Sequence, residues 1–273
     1  MPPSSVEGVI LLGWMERDFA IKYLRDECVF DPQLSEAQAE EIWRRYRDTV
    51  EALPPRQIVS PPRLPLTLDD ERRIADFNRF HGLPQRRGAI REVIKINPLD
   101  LVTHQPYVCL ERARQHLAGA QAVDTLATQL RPQQIRIRHG MNMADVDVPH
   151  GEFAFGYNPQ VQQFFISETG RHVSVTEYQQ RMILWAGYHR SYACMIRENP
   201  EGIERSMLVA LTTDADFFVS EQSPNQGLRA IVCGLRPPHF RDFFDERFFM
   251  TVRLRKKRYE LQVRANCVPV NFD

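Results

Sequence analysis

The spacing of apolar residues predicts the first well-defined helix over residues 35–53. Apolar side chains recur there at intervals of three and four residues, which places them on one face of an α-helix. Ser35, followed three residues later by Gln38, fits a capping box at the helix start. A similar pattern over residues 16–28 predicts another helix, and a turn at residues 30–32 joins the two into a helical hairpin.

Prolines interrupt the pattern after this hairpin. Five of them fall within residues 54–65, and proline can neither continue a helix nor sit in a central strand. This stretch is therefore the predicted boundary of the helical hairpin. A third helix is predicted over residues 68–81, with Thr67 as its cap and Gly82 as its stop.

Beyond Arg91, short β-like runs alternate with helical patterns without forming regular βαβ units, which predicts an α+β fold. Two late β-like runs, 248–255 and 259–265, flank a basic turn and predict a β-hairpin. A short helix with inward-facing phenylalanines is predicted after Pro238. The other predicted strands are 93–96, 134–138, 163–167, 181–185 and 206–212, and the other predicted helices are 109–118, 123–130 and 188–197.

These elements predict four segments along the chain. The 273 residues, of which 43% are hydrophobic, can bury a large core in one domain or two small ones. The segments are a helical hairpin over 1–53, a proline-rich connection with a short helix over 54–91, a core over 92–213, and a C-terminal extension over 214–273. The extension carries the basic β-hairpin and is expected to pack on the core.

The charges balance overall but not locally. The 35 basic and 35 acidic residues give a formal net charge of zero, which excludes a globally basic nucleic-acid binder. Residues 1–53 hold 11 acidic and 6 basic residues, whereas residues 228–273 hold 5 acidic and 10 basic residues. Three explanations stay open: the charges are ordinary surface charge, the two ends neutralise each other across the fold, or the basic end faces an anionic partner.

The five cysteines are scattered, without a C-x-x-C pair or a framework spacing. Such spacing is typical of reduced thiols in a cytosolic protein. The apolar run over residues 9–15 lacks a basic region before it and is far shorter than a membrane span requires. We therefore expect a cytoplasmic protein without an export signal or a membrane anchor.

The most informative segment for chemistry is a predicted strand, residues 182–185, that runs through Gly187 directly into a predicted helix. The turn formed by Gly187, Tyr188, His189 and Arg190 then lies at a helix N-terminus. Unpaired backbone N–H groups and the helix dipole favour an anion at such a position. Arg190 can add a two-pronged contact to phosphate oxygens, so the turn is a predicted phosphate-binding site.

This turn resembles that of the ParB/sulfiredoxin-like superfamily, in which a strand leads into a G-x-H-R or G-x-R-R turn and a helix with a nearby alanine. Gly187, His189, Arg190 and Ala193 match the sulfiredoxin form of the turn. Tyr188 stands where sulfiredoxins have their reactive cysteine. Upstream, residues 96–106 are similar to the first ParB-type box, a strand that ends in a loop before a Gln-Pro step.

The resemblance covers roughly residues 92–213 and implies a mixed-sheet core that holds a nucleotide or another phosphorylated ligand. The candidate site residues are the four of the turn together with Gln105. The cofactor stays open: a nucleotide with Mg²⁺ is compatible with the resemblance, and Fe(II) belongs only to the alternative of a non-haem iron enzyme. Without a cysteine at Tyr188, sulfinic acid reduction is not expected. No helix-turn-helix segment follows the core, so a complete DNA-partitioning ParB is not expected either. The alternative is that Tyr188 and Tyr192 pack the core while His189 and Arg190 bond local carbonyls or acids.

A second hypothesis is a non-haem iron enzyme. His150 and Glu152 form an H-x-E pair that a strand would place on one face. With His172 or His189 they would give the two-histidine, one-carboxylate set that binds Fe(II). The opposing interpretation is an exposed polar stretch without a metal.

A third hypothesis is an interaction module without catalysis. The basic residues of the predicted hairpin could lie along a nucleic-acid backbone, or they could form a solvated turn that discourages strand pairing. The acidic N-terminal helices would be the surface for a protein partner. Catalysis has no assigned residue, although phosphoryl chemistry would need a carboxylate such as Glu111 or Glu177. The basic residues are Arg253, Arg255, Lys256, Lys257, Arg258 and Arg264, with Tyr259 beside them.

Overall fold

The computed structural model describes residues 5–56, 60–81, 90–117, 125–126, 136–140, 143–147, 153–158, 163–168, 172–197, 206–212, 231–255 and 261–264. Contacts divide the chain into two compact units. The larger contains residues 1–128 and 171–256, and the smaller contains residues 129–170 and 257–273. Helices occur together with mixed sheets, which confirms the predicted α+β class.

The elements are numbered in chain order. The helices are α1 (Arg17–Lys22), which continues into a π-helical turn (Tyr23–Glu27), α2 (Glu36–Glu51), α3 (Leu68–His81), α4 (Leu110–Leu117) and α5 (Tyr188–Arg197). The strands are β1 (Ser5–Ile10), β2 (Ile90–Ile96), β3 (Val102–Thr103), β4 (Tyr107–Cys109), β5 (Arg136–Gly140), β6 (Met143–Asp147), β7 (Phe153–Asn158), β8 (Gln163–Glu168), β9 (Ser174–Tyr178), β10 (Arg181–Ala186), β11 (Met207–Thr212), β12 (Met250–Arg255) and β13 (Leu261–Arg264).

The central sheet of the larger unit has the strand order β2-β11-β9-β10-β3. Strands β3 and β10 run parallel, as do β9 and β11, and the other neighbours are antiparallel. Strand β11 is buried on both faces, as expected of a strand with helices or loops on either side. Helices α4 and α5 pack on one another, and α5 buries Tyr192, Ala193 and Met195 in the main hydrophobic core.

A second sheet, with the order β12-β1-β4, separates two hydrophobic cores. Because successive side chains of a strand point to opposite faces, Val9 contributes to the main core and Ile10 to the core beneath α1 and α2. The predicted capping box of α2 is confirmed, since the Ser35 hydroxyl accepts a bond of 3.3 Å from the Gln38 amide and the reverse bond is 2.9 Å. Residues 5–10, however, form a strand, so the N-terminal segment is not purely helical.

The prediction that the two late β-like runs pair with each other as a C-terminal hairpin is wrong. Its first strand, β12, pairs with β1 over the register Ser5↔Arg255 to Ile10↔Met250, and its second strand, β13, pairs with β6. The reason is burial, because Val252 and Leu254 alternate into the core beneath α1 and α2. This burial outweighs the local turn signal. The two oppositely charged chain ends therefore meet through a backbone ladder and a shared apolar core.

A predicted helix at 123–130 is also not formed at its two described positions. Leu126 makes a β-bridge with His172, and the Val173 amide donates to the Thr125 carbonyl. The predicted short helix near residue 240 is confirmed as a 3₁₀ helix (Phe240–Phe244), with Phe240 and Phe243 fully buried.

In the part of the chain that is described, no helix combines the length and apolar character needed to cross a membrane.

The smaller unit contains a three-stranded antiparallel sheet and a separate hairpin. The sheet has the order β13-β6-β5, and the hairpin joins β7 to β8 over the register Phe153↔Glu168 to Asn158↔Gln163. The predicted strands near 134–138 and 163–167 are confirmed by β5 and β8. The two units divide the chain differently from the four predicted segments, because residues 1–53 belong to the same unit as most of the predicted core, whereas residues 129–170 of that core fall in the smaller unit.

Candidate functional site

The predicted passage from strand through glycine into helix is present. Strand β10 ends at Ala186, Gly187 follows, and α5 begins at Tyr188. Gly187 has a φ of +90°, a conformation that residues with a side chain rarely adopt. A Cβ atom at this position would lie 2.9 Å from both Cα and Cγ2 of Val173. Glycine is therefore required here by backbone conformation and by close packing.

Replacing Gly187 by alanine is expected to lower the free energy of unfolding by about 2–4 kcal/mol. The left-handed backbone costs roughly 1–2 kcal/mol for a residue with a Cβ, and the contact with the Val173 backbone adds to it because backbone cannot rotate away. Urea unfolding followed by circular dichroism measures the loss. A loss below about 0.5 kcal/mol, the scale of an ordinary surface substitution, would contradict this account of the turn.

The turn lies at the carboxyl edge of two parallel strands. Strands β3 and β10 pair in parallel register, with Leu184 opposite Thr103, so the residues that follow each strand emerge on the same side. Those residues are His104 and Gln105 after β3 and the Gly187 turn after β10. Ligands of open α/β sheets bind outside the carboxyl ends of parallel strands. The local topology therefore brings the backbone of Gln105 to the turn, where its amide donates to the Tyr188 hydroxyl.

Tyr188 points into the protein. Its residue is only 3% exposed, and its hydroxyl accepts hydrogen bonds from the backbone amides of His104 at 3.0 Å and Gln105 at 3.2 Å. The same hydroxyl donates to the Leu184 carbonyl at 2.5 Å. Burial raises the pKa of Tyr188 to about 12. Tyr188 therefore belongs to the core, as the structural alternative predicted, and the same holds for Tyr192, whose ring stacks on Phe244 at 4.9 Å.

His104 is a residue of this site that the sequence prediction missed. Its Nδ1 lies 2.8 Å from the Tyr188 hydroxyl and 3.1 Å from the Leu184 carbonyl oxygen. Because a carbonyl only accepts, Nδ1 carries the hydrogen. The ring stacks on Trp185 with centroids 5.0 Å apart, and burial lowers the pKa of His104 to about 4. Its position beside Gln105 was the only signal in the sequence.

His189 and Arg190 lie in the first turn of α5, which contains no acidic residue. Burial, together with the nearby cationic groups of Arg112 and His116 on α4, lowers the pKa of His189 to about 3. The Nε2 atom of His189 is buried and makes no hydrogen bond with any described residue. Arg190 is partly buried. The helix N-terminus therefore lies among cationic groups and presents a buried polar nitrogen.

The remaining candidate residues are placed as follows. The Gln105 side chain donates to the Tyr107 carbonyl at 3.1 Å. Glu111 lies in the first turn of α4, which packs on α5. Glu177 is exposed and pairs with Met182, at the end of the β9–β10 hairpin remote from Gly187. The structure therefore brings Glu111, but not Glu177, to an element adjoining the turn.

The iron hypothesis falls largely outside the described residues, because His150 and Glu152 both lie outside them. His172 packs edge-on against Phe77, with centroids 5.4 Å apart. Within the described ranges, no three side chains of His, Cys, Asp or Glu gather as a metal ion would require. The candidate set of His150, Glu152 and His189 stays a prediction, because two of its three members lie outside the described residues.

The basic residues near the C-terminus do not lie on one ribbon. Arg253 and Arg255 are exposed on β12, and Arg253 is opposite Glu7 of β1. Arg264 belongs to β13, which pairs in another sheet. The intervening residues Lys256, Lys257, Arg258 and Tyr259 lie outside the described part of the chain. The alternating basic β-ribbon expected for a nucleic-acid contact is therefore not formed by β12 and β13.

Comparison with known proteins found no match for this chain among protein-family models, curated proteins or solved structures.

Proposed function

We propose that this protein binds a nucleotide or another phosphorylated small molecule at the turn formed by Gly187, Tyr188, His189 and Arg190. The observation that carries the proposal is the junction of β10 and α5, where a glycine with positive φ brings the backbone directly into a helix N-terminus. The first N–H groups of a helix have no partner within the helix. Such a terminus is suited to phosphate oxygens.

The charges around the turn support an anionic ligand. Arg190 lies in the first turn itself, and Arg112 and His116 of α4 act electrostatically on His189. All these groups carry or can carry positive charge, and the first turn of α5 has no acid to offset the helix dipole. A phosphate group would be attracted by this charge and by the helix dipole. The buried Nε2 of His189 would gain a hydrogen-bond partner from the same ligand.

The surroundings of Tyr188 support binding without a covalent step through this residue. A phenol with a pKa of about 12 is a poor nucleophile near neutral pH, and its oxygen is already engaged with two amides. The proposed relationship to the ParB/sulfiredoxin-like superfamily rests on Gly187, His189, Arg190 and Ala193 of the turn. Tyr188 then has a structural role at the position where sulfiredoxins have their reactive cysteine.

Isothermal titration calorimetry with inorganic pyrophosphate and with Mg²⁺–ATP tests the proposal, with adenosine as the phosphate-free control. We expect both phosphate compounds to bind and adenosine to bind at least tenfold more weakly. The substitution Arg190→Gln is expected to weaken binding by about tenfold or more, since a hydrogen bond to a charged group contributes about 1.5–3 kcal/mol. The matched control Arg44→Gln removes an exposed arginine of α2, 62% exposed, and should leave the Kd unchanged.

Two results would refute this function. One is the absence of binding by the wild-type protein at millimolar pyrophosphate and Mg²⁺–ATP. The other is equal weakening by Arg190→Gln and Arg44→Gln, because that would show a general effect of net charge with no specific site at the turn.

A further inference from the structure

The hydroxyl of Tyr188 joins three parts of the candidate site. It accepts from two consecutive amides, those of His104 and Gln105, at 3.0 and 3.2 Å. It donates to the carbonyl of Leu184 on β10 at 2.5 Å, and it lies 2.8 Å from Nδ1 of His104. One phenolic oxygen therefore connects the loop after β3, the end of β10 and the first residue of α5.

These contacts hold the loop against the helix N-terminus. Strand β3 has only two residues, and the loop is also held by the Leu11 amide, which donates to the Pro106 carbonyl at 2.7 Å, and by the Thr103 hydroxyl, which donates to the Gln105 carbonyl at 3.1 Å. The side chain of His104 adds a second connection, because it stacks on Trp185 and its Nδ1–H donates to the same Leu184 carbonyl at 3.1 Å. Without the hydroxyl, the two loop amides would lose their common acceptor in a buried place, and the loop would have to move to satisfy them.

We infer that Tyr188 is a positioning residue whose hydroxyl aligns Gln105 and the N-terminus of α5 for a phosphate ligand. His104 supports this alignment, and the inference rests on the proposed function. Tyr188 does not touch the ligand itself, because its side chain points inward and is buried. Binding sites depend on groups held to within about 0.5 Å, and a displacement of about 1 Å can cost up to about a hundredfold in function.

The test is the Kd for pyrophosphate of Tyr188→Phe, measured at 10 °C on protein that circular dichroism shows to be folded. The inference predicts a Kd raised by about tenfold or more, within the range expected for a displaced binding group. Tyr192→Phe is the matched control, since Tyr192 lies one turn further along α5 and is also buried. Its Kd should stay within about twofold of wild type, the change expected from a substitution outside the site.

Two variants of His104 test the same inference without relying on Tyr188→Phe being stably folded. His104→Asn keeps a short donor towards the Leu184 carbonyl and should retain most of the affinity, whereas His104→Leu removes that donor and should raise the Kd. If folded Tyr188→Phe and His104→Leu bind pyrophosphate like the wild type, the positioning role is refuted while the proposed function stands. If the wild type binds neither pyrophosphate nor Mg²⁺–ATP, the proposed function fails and this inference fails with it.

Discussion

Lowering the pH from 7 to 5 is expected to reduce the free energy of unfolding by about 5 kcal/mol, because three partly buried histidines stay neutral in the folded state. Burial lowers the pKa of His104 to about 4, of His189 to about 3 and of His239 to about 4. In the unfolded chain their pKa is about 6.5. At a pH between the folded and the unfolded pKa values, the histidines are protonated in the unfolded state and neutral in the folded state.

The direction of the effect follows from this difference in bound protons. Above pH 6.5 the histidines are neutral in both states, so they do not affect stability. As the pH falls below 6.5, each histidine favours unfolding by up to about 1.4 kcal/mol per pH unit until its folded pKa is reached. Since small domains are stable by only about 5–15 kcal/mol, the protein is expected to approach its unfolding transition near pH 5.

Urea titrations at half-unit steps between pH 5 and 7.5 measure this dependence, and its slope gives the number of protons taken up on unfolding. We expect about three protons near pH 5.3, one for each of these histidines. His189→Gln should reduce the uptake by about one, because glutamine does not titrate. A urea midpoint that stays constant between pH 7 and 5.5 would show that these histidines are not held neutral.

Replacing Asp242 by alanine is expected to reduce the free energy of unfolding by about 3–5 kcal/mol, the usual cost of breaking a buried ion pair. Arg56 bonds both carboxylate oxygens of Asp242, at 2.6 and 2.7 Å, and the two side chains are 17% and 1% exposed. The guanidinium also lies over the rings of Trp14 and Phe248, 5.5 and 6.0 Å from their centroids. Without Asp242, the Arg56 charge would remain buried without its partner.

Two further variants distinguish the loss of the buried ion pair from the loss of any carboxylate side chain. Asp245→Ala removes a carboxylate three residues away, whose partner Arg247 is 72% exposed, and should cost no more than about 1 kcal/mol. The double variant Arg56→Met with Asp242→Leu should recover much of the loss, because buried ion pairs can be replaced by apolar residues of similar volume. Equal losses for Asp242→Ala and Asp245→Ala would exclude a special role for the buried pair.

The elements that were predicted best are those whose signals lie close together in the chain. Helices α2, α3 and α5 begin and end within two residues of their predicted bounds. Their caps, their apolar spacing and their terminating residues all lie within a few positions. The Gly187 turn was predicted for the same reason, since one glycine between a strand and a helix is a local feature.

Strand partners could not be predicted in this way, because pairing depends on which apolar faces the whole chain can bury together. The two runs around the basic turn suggested a hairpin, yet β12 pairs with β1, and the paired residues are 240 to 250 positions apart in the chain. The buried alternation of Val252 and Leu254 explains this choice. The ion pair between Asp242 and Arg56 could not be predicted either, because the two residues lie 186 positions apart in the chain.

The sequence by itself therefore determined the α+β class, the main helices and the glycine turn with His189 and Arg190 at a helix N-terminus. Only the tertiary structure decided that Tyr188 faces inward, that His104 and Gln105 meet it, and that Arg112 and His116 lie near His189. The physical reason is that helix signals are encoded over a few neighbouring residues. Burial and hydrogen-bond partners depend instead on contacts between distant segments, which form only when strands such as β3 and β10 pair.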